Sequence, residues 1–176
     1  DQFAYESHQK AIHANNSGLF ENEIVPISTI DDSYSVKSNE YIKNTNLVSK
    51  DEGPRKDTSI EVLAKLRTVF AQDGSVTAGN SSQMSDAAAA VLVASEEAVE
   101  KYNLTPKAEF MGFSVAGVPA EIMGIGPVKA VPKVLSSLGL GLDEIGWIEL
   151  NEAFAAQSLA VIKELKLDPE KVNPLG

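Results

Sequence analysis

The chain has 176 residues, a formal net charge of −10, 43% hydrophobic and 23% charged residues, and no cysteine. This length and composition suit one globular domain or parts of two. The acidic balance argues against nucleic acid and against unassisted docking on an anionic membrane, and the missing thiol removes disulfides, thiolate metal sites and cysteine nucleophiles from these residues.

The apolar runs at 87–94 and 159–162 are far too short to span a bilayer. No basic stretch leads into an apolar one as in a secretory leader. A first residue of Asp1 rather than Met reads as a chain cut from something longer. His8 and His13 lie five apart, off the shared helical face that a spacing of four provides, so no metal site is expected.

In chain order, Asp1 to Asn16 reads as a helix with a small-residue stripe of Phe3, Ala4, Ser7, Ala11 and Ala14, stopped by Gly18. Glu23 to Ile27 reads as a short strand broken by Pro26. Residues 28–57 are polar, alternate weakly near Tyr41–Val48 and carry a Gly53-Pro54 turn, which predicts a hairpin at most. Thr58 with Glu61 predicts a capped helix presenting Val62, Leu66 and Val69 on one face, ended by an Asp73-Gly74 turn. The run Ala87–Ala94 suits a strand buried on both faces. A short helix is expected over Glu96–Tyr102, a strand over Ala108–Val118, and a helix over Val128–Leu138 with Pro132 near its start. A strand over Gly146–Leu150 and a periodic helix over Glu152–Leu165 complete an alternating pattern. That alternation predicts an α/β fold, with a boundary near residue 75 between an irregular helical region (1–75) and a β/α core (76–176).

Three segments carry candidate chemistry. Thr77–Asp86 is dense in small polar residues, and Ala78 and Gly79 leave room for close approach of a ligand; a surface loop with Ser/Asp turn chemistry explains it as well. Met123-Gly124-Ile125-Gly126-Pro127 enters a helix, where free N–H groups suit an anion, although a tight turn with Pro127 in the first helical turn suffices. Leu150–Gln157 joins a strand to a helix. Asn151 is an N-cap by residue type, or else an amide at the carboxyl end of a buried strand, where open α/β sheets place their ligands and where it could polarise a carbonyl.

Taken together, TAGNSSQMSDAAAAVL, GVPAEIMGIGP, ELNEAFAAQ and KVNPLG resemble thiolase segments in thiolase order, and DQFAYESHQKAI…GLFENEIVPI resembles the part before them. The resemblance covers nearly everything except residues 28–50. It implies a thiolase-like fold, with 1–75 a portion of the coenzyme A-covering loop region and 76–176 the first part of the C-terminal domain. It further implies acyl transfer in fatty-acid β-oxidation, in which 3-ketoacyl-CoA and coenzyme A give acetyl-CoA and a shortened acyl-CoA. Coenzyme A serves as substrate, and no group is covalently bound. The DEGPR and KVNPLG segments look more like the degradative, broad-chain branch.

By the same resemblance Asn151 is the oxyanion-hole asparagine. Ser82, with Ala78 and Gly79, meets the pantetheine arm, Arg55 meets the nucleotide end of coenzyme A, Met123 lines the acyl pocket and Phe154 forms its wall. The family's nucleophilic cysteine would lie before Asp1, and its histidine and second cysteine beyond Gly176. The 176 residues alone are therefore expected to be inactive. The parent is expected to be a homodimer or homotetramer, cytoplasmic in a bacterium, or else peroxisomal or in the mitochondrial matrix. Ala87 stands where the family carries glycine, and its methyl is expected to strain a tight approach. With the missing cysteines, this supports an alternative: a non-catalytic thiolase-like module that binds acyl-CoA or a partner.

Overall fold

The computed structural model describes residues 1–176 and divides them into two compact units, 1–65 with 174–176, and 66–173. In the first unit, α1 (Gln2–Asn16) buries Ala4 and Ala14 from the expected stripe. Gly18 ends it with φ +70°, a left-handed conformation that costs glycine nothing. Residues 17–23 turn rather than extend, so the strand expected at Glu23–Ile27 does not form. Pro26 has no N–H to give a ladder, and pairing begins directly after it.

The polar stretch forms an antiparallel hairpin of β1 (Ile27–Ser35) and β2 (Glu40–Val48), in register from Ile27 opposite Val48 to Ser35 opposite Glu40. Tyr34 and Tyr41 face each other near the turn, with ring centroids 5.1 Å apart. The Tyr34 hydroxyl donates to Asn39 Oδ1, and Asn39 itself takes a left-handed φ of +55°. At the Gly53-Pro54 turn, Asp51 Oδ1 accepts the Gly53 N–H at 2.8 Å.

The helix expected from Thr58 is shorter and starts one residue later. It is α2 (Ile60–Leu63), and its N-cap is Ser59, whose hydroxyl accepts the Val62 N–H. Leu66 and Val69 have left the helix. Val69 N–H instead donates to Val76 O, beside an antiparallel bridge between Thr68 and Thr77.

In the second unit, α3 (Glu96–Lys101) is capped by Ser95, and α4 (Gly126–Leu138) carries Pro127 in its first turn. Pro132 lies in the middle of α4 and not near its start. The α5 helix (Ala155–Leu165) begins three residues later than its periodicity suggests. Its Val161 packs with Leu167 and Val172, and with flanking Val128, Ile148 and Leu150, to form the core.

The expected strands at 87–94, 108–118 and 146–150 do not form a sheet. The hairpin is the one sheet, and 146–150 contributes a single parallel bridge, Ile148 to Val172. The apolar run is exposed, with Val91, Leu92 and Val93 at 81–86%. A strand exists only through lateral partners for its N–H and C=O groups, and apolar composition encodes a wish for burial without naming the partner. The 110–115 stretch instead packs on α4. Ser114 Oγ donates to Ala130 O at 2.6 Å, and Lys133 Nζ donates to Val115 O at 3.1 Å.

Candidate functional site

Asn151 does not cap α5. The N-cap is Phe154, with extended backbone and no side-chain cap, because the first helical bond runs from Ser158 N–H to Phe154 O. Asn151 stands three residues earlier, exposed, at the wall of a cavity of about 540 Å³ between α4, α5 and the 142–150 stretch. Leu142, Trp147, Pro127 and Val161 give this cavity a mainly apolar lining. Gln157 adds a polar group, and its buried Oε1 has no hydrogen-bond partner.

The 77–82 segment folds on itself as a short 3-10 turn over Ala78–Asn80. Thr77 and Asn80 are buried. Asn80 Oδ1 accepts the Thr77 N–H at 2.9 Å, Thr77 Oγ1 accepts the Gly79 N–H at 3.1 Å, and Ser81 Oγ donates to Thr77 O at 2.7 Å. These side chains build the loop, whereas Ala78 and Ser82 remain exposed and available. The loop meets the Asn151 turn through main-chain contacts. Ser82 N–H donates to Ala153 O at 3.0 Å, next to an antiparallel bridge between Ser81 and Phe154. The structure thus brings Ala78, Gly79, Ser82, Phe154 and the turn bearing Asn151 together.

Met123 is 78% exposed and does not line the cavity, but its neighbour Gly124 does. A Cβ on Gly124 would come within 2.7 Å of Gln157 Cγ, so glycine is what lets the 120–125 segment seat on α5.

Arg55 belongs to the other unit. Its guanidinium bonds Asp57 at 3.2 Å, and its backbone N–H donates to His8 Nδ1 at 3.2 Å. The hydrogen bond to Asp57 raises Arg55 above its ordinary pKa, and Arg55 holds Asp57 below the usual carboxylate range. Both side chains are open to water, where such pairs hold weakly and exchange partners readily.

Sequence reasoning missed two residues. Phe70 stands edge-on to Phe154, with centroids 5.9 Å apart; an isolated exposed aromatic after a short helix gave no signal. Asn173, 5% exposed, reaches back to the Asn151 turn from 21 to 23 residues away, a contact that only folding reveals. Ala87 lies exposed, outside any helix or strand and without a positive φ, so the strain expected of its methyl is not seen.

The thiolase N-terminal domain family matches residues 1–97 and the thiolase C-terminal domain family matches residues 104–176. The chain is 46% identical over 180 residues to the 3-ketoacyl-CoA thiolase of Bacillus subtilis, covering 100% of this chain and 45% of that protein. Its fold matches the crystal structure of Bacillus anthracis acetyl-CoA acetyltransferase with a TM-score of 0.92 and 45% identity, over 100% of this chain and 42% of that one. It also matches the dimeric peroxisomal thiolase of Saccharomyces cerevisiae, with a TM-score of 0.86 and 43% identity, over 99% of this chain and 41% of the yeast chain. The chain therefore belongs to the thiolase family. It spans less than half the length of the relatives it matches.

Proposed function

We propose that these residues form part of a polypeptide that cleaves 3-ketoacyl-CoA with coenzyme A, giving acetyl-CoA and an acyl-CoA shortened by two carbons. The observation that carries this reading is the 46% identity to a 3-ketoacyl-CoA thiolase along the entire chain. The meeting of the Asn151 turn with the 78–82 loop supports it. In this reading Asn151 offers its amide N–H, directly or through a water, to the thioester oxygen as negative charge develops there. Ser82 and its loop hold the pantetheine arm, Phe154 and Phe70 wall it, and Arg55 meets the nucleotide end. Met123 borders the acyl group. Coenzyme A is a substrate and not a resident cofactor, and the polypeptide works as a homodimer or homotetramer.

Attack on the substrate needs a nucleophile and a base to activate it. With no cysteine in these 176 residues, the acyl-enzyme must form on a residue of the longer polypeptide. The test is to assay both. The longer polypeptide should consume 3-ketoacyl-CoA only when coenzyme A is supplied and release acetyl-CoA, and the 176-residue chain should do neither. An inactive longer polypeptide that still binds acyl-CoA would overturn the catalytic reading in favour of a binding module. Assays across short and long acyl chains would decide the branch.

A further inference from the structure

We propose that Asn173 is a positioning residue that clamps the turn on both sides of Asn151. The claim rests on the oxyanion reading of Asn151 given above. The 146–150 stretch meets the 171–173 stretch in a short parallel pairing. Ile148 N–H donates to Lys171 O and Asn173 N–H donates to Ile148 O, each at 2.9 Å. Beyond that point the backbone pairing stops and the Asn173 side chain continues it. Its Oδ1 accepts the Leu150 N–H at 2.7 Å, and its Nδ2 donates to Leu150 O at 2.8 Å. The same Nδ2 donates to Glu152 Oε1 at 2.6 Å.

Both backbone polar groups of the residue before Asn151, and the side chain of the residue after it, are thus held by one buried amide. The clamp uses two donated bonds and one accepted bond, a set that the NH2 and C=O of an amide supply together and a hydroxyl or carboxylate does not. Asp would lose both donated bonds and set a carboxylate against Leu150 O and Glu152. Asn173 also holds a left-handed φ of +44°, a conformation that asparagine tolerates better than most residues. The clamp leaves the Asn151 side chain outside the network while fixing the backbone that aims it. A catalytic group needs that fixity, because a displacement of about 1 Å can cost about 10²-fold in rate.

The test is a cycle in the active longer polypeptide, with turnover measured per folded molecule. Asn173→Gly keeps the backbone conformation and removes the clamp, and Asn173→Asp keeps the shape and inverts the bonding. Each should lower kcat by about 10- to 10²-fold with Asn151 present, at nearly unchanged KM. In an Asn151→Ala background each should change kcat by less than about 2-fold, because the group being aimed is gone. Adding Glu152→Gln to Asn173→Asp should restore part of the turnover by returning a donor to that contact. Equal losses in both backgrounds, unchanged turnover, or failure of both variants to fold would show a merely structural role and overturn the inference. A wild-type polypeptide without thiolase activity overturns the proposed function first.

Discussion

Asn151 stands three residues before the N-cap of α5, so its replacement should separate chemistry from stability. Asn151→Ala is expected to lower kcat by about 10²–10³, the usual cost of one oxyanion donor, with little change in KM. Unfolding stability should move by no more than about 0.5 kcal/mol, as for an exposed position with no capping bond to lose. Asn151→Asp should be as stable and as slow, because it puts negative charge where negative charge must develop. Turnover and thermal unfolding measured on the same preparations check both halves, and full turnover in Asn151→Asp would remove the oxyanion role. The motif around Asn151 is what singled the residue out in the sequence, and the turnover measurement tests the role. The residue's freedom from capping was not legible there, since Asn before an alanine-rich helix is what a cap looks like. Asn173 lies in the KVNPLG segment, but nothing local showed what its side chain holds, because its bonds close a loop of 21 to 23 residues.

The helices were legible where local rules suffice. Small residues at helical spacing gave α1, and Pro127 marks the start of α4 by its fixed φ. At α2 two hydroxyl residues compete for one cap, and the sequence favours Thr58 because Glu61 follows at the capping-box distance. The structure chooses Ser59, and the hydrogen bond from its hydroxyl also holds Glu61 below its ordinary pKa. Ser59→Ala should therefore cost about 0.5–2 kcal/mol, while Thr58→Ala should cost much less. Chemical denaturation of the pair of variants decides between them, and equal costs would return the cap to Thr58. Strands were less legible for a physical reason. A helix satisfies its own backbone within four residues, whereas a strand borrows partners that composition does not identify. The hairpin could be anticipated because its partner lies across a short turn. The pairing of 87–94 could not.

On the scale of the whole molecule, the exposed apolar run at 87–94 bears on two solution properties of the chain, amide exchange and self-association. Its amides have no ladder, so in the 176-residue chain they should exchange with solvent far faster than those of α5, whose Val161 is fully buried. Exposed and apolar throughout, with Val91, Leu92 and Val93 open to solvent, the run should also make the chain self-associate as concentration rises. Hydrogen exchange followed by mass spectrometry, with light scattering on the same sample, checks both. Slow exchange at 88–94 in a monomer would show that the segment has found a partner within the chain.

The bond from Ser82 N–H to Ala153 O, with its neighbouring bridge, has a consequence for how such proteins diverge. It ties a residue matched by the N-terminal family to one matched by the C-terminal family, and it does so through main-chain atoms that every residue but proline can supply. Substitution on either side of the join, short of proline at position 82, leaves that donor and acceptor in place. Two relatives that exchanged halves between residues 97 and 104 would therefore each keep the donor and acceptor of this seam, while the cavity beside Asn151, lined by residues between Gly124 and Leu167, would travel whole with the C-terminal half.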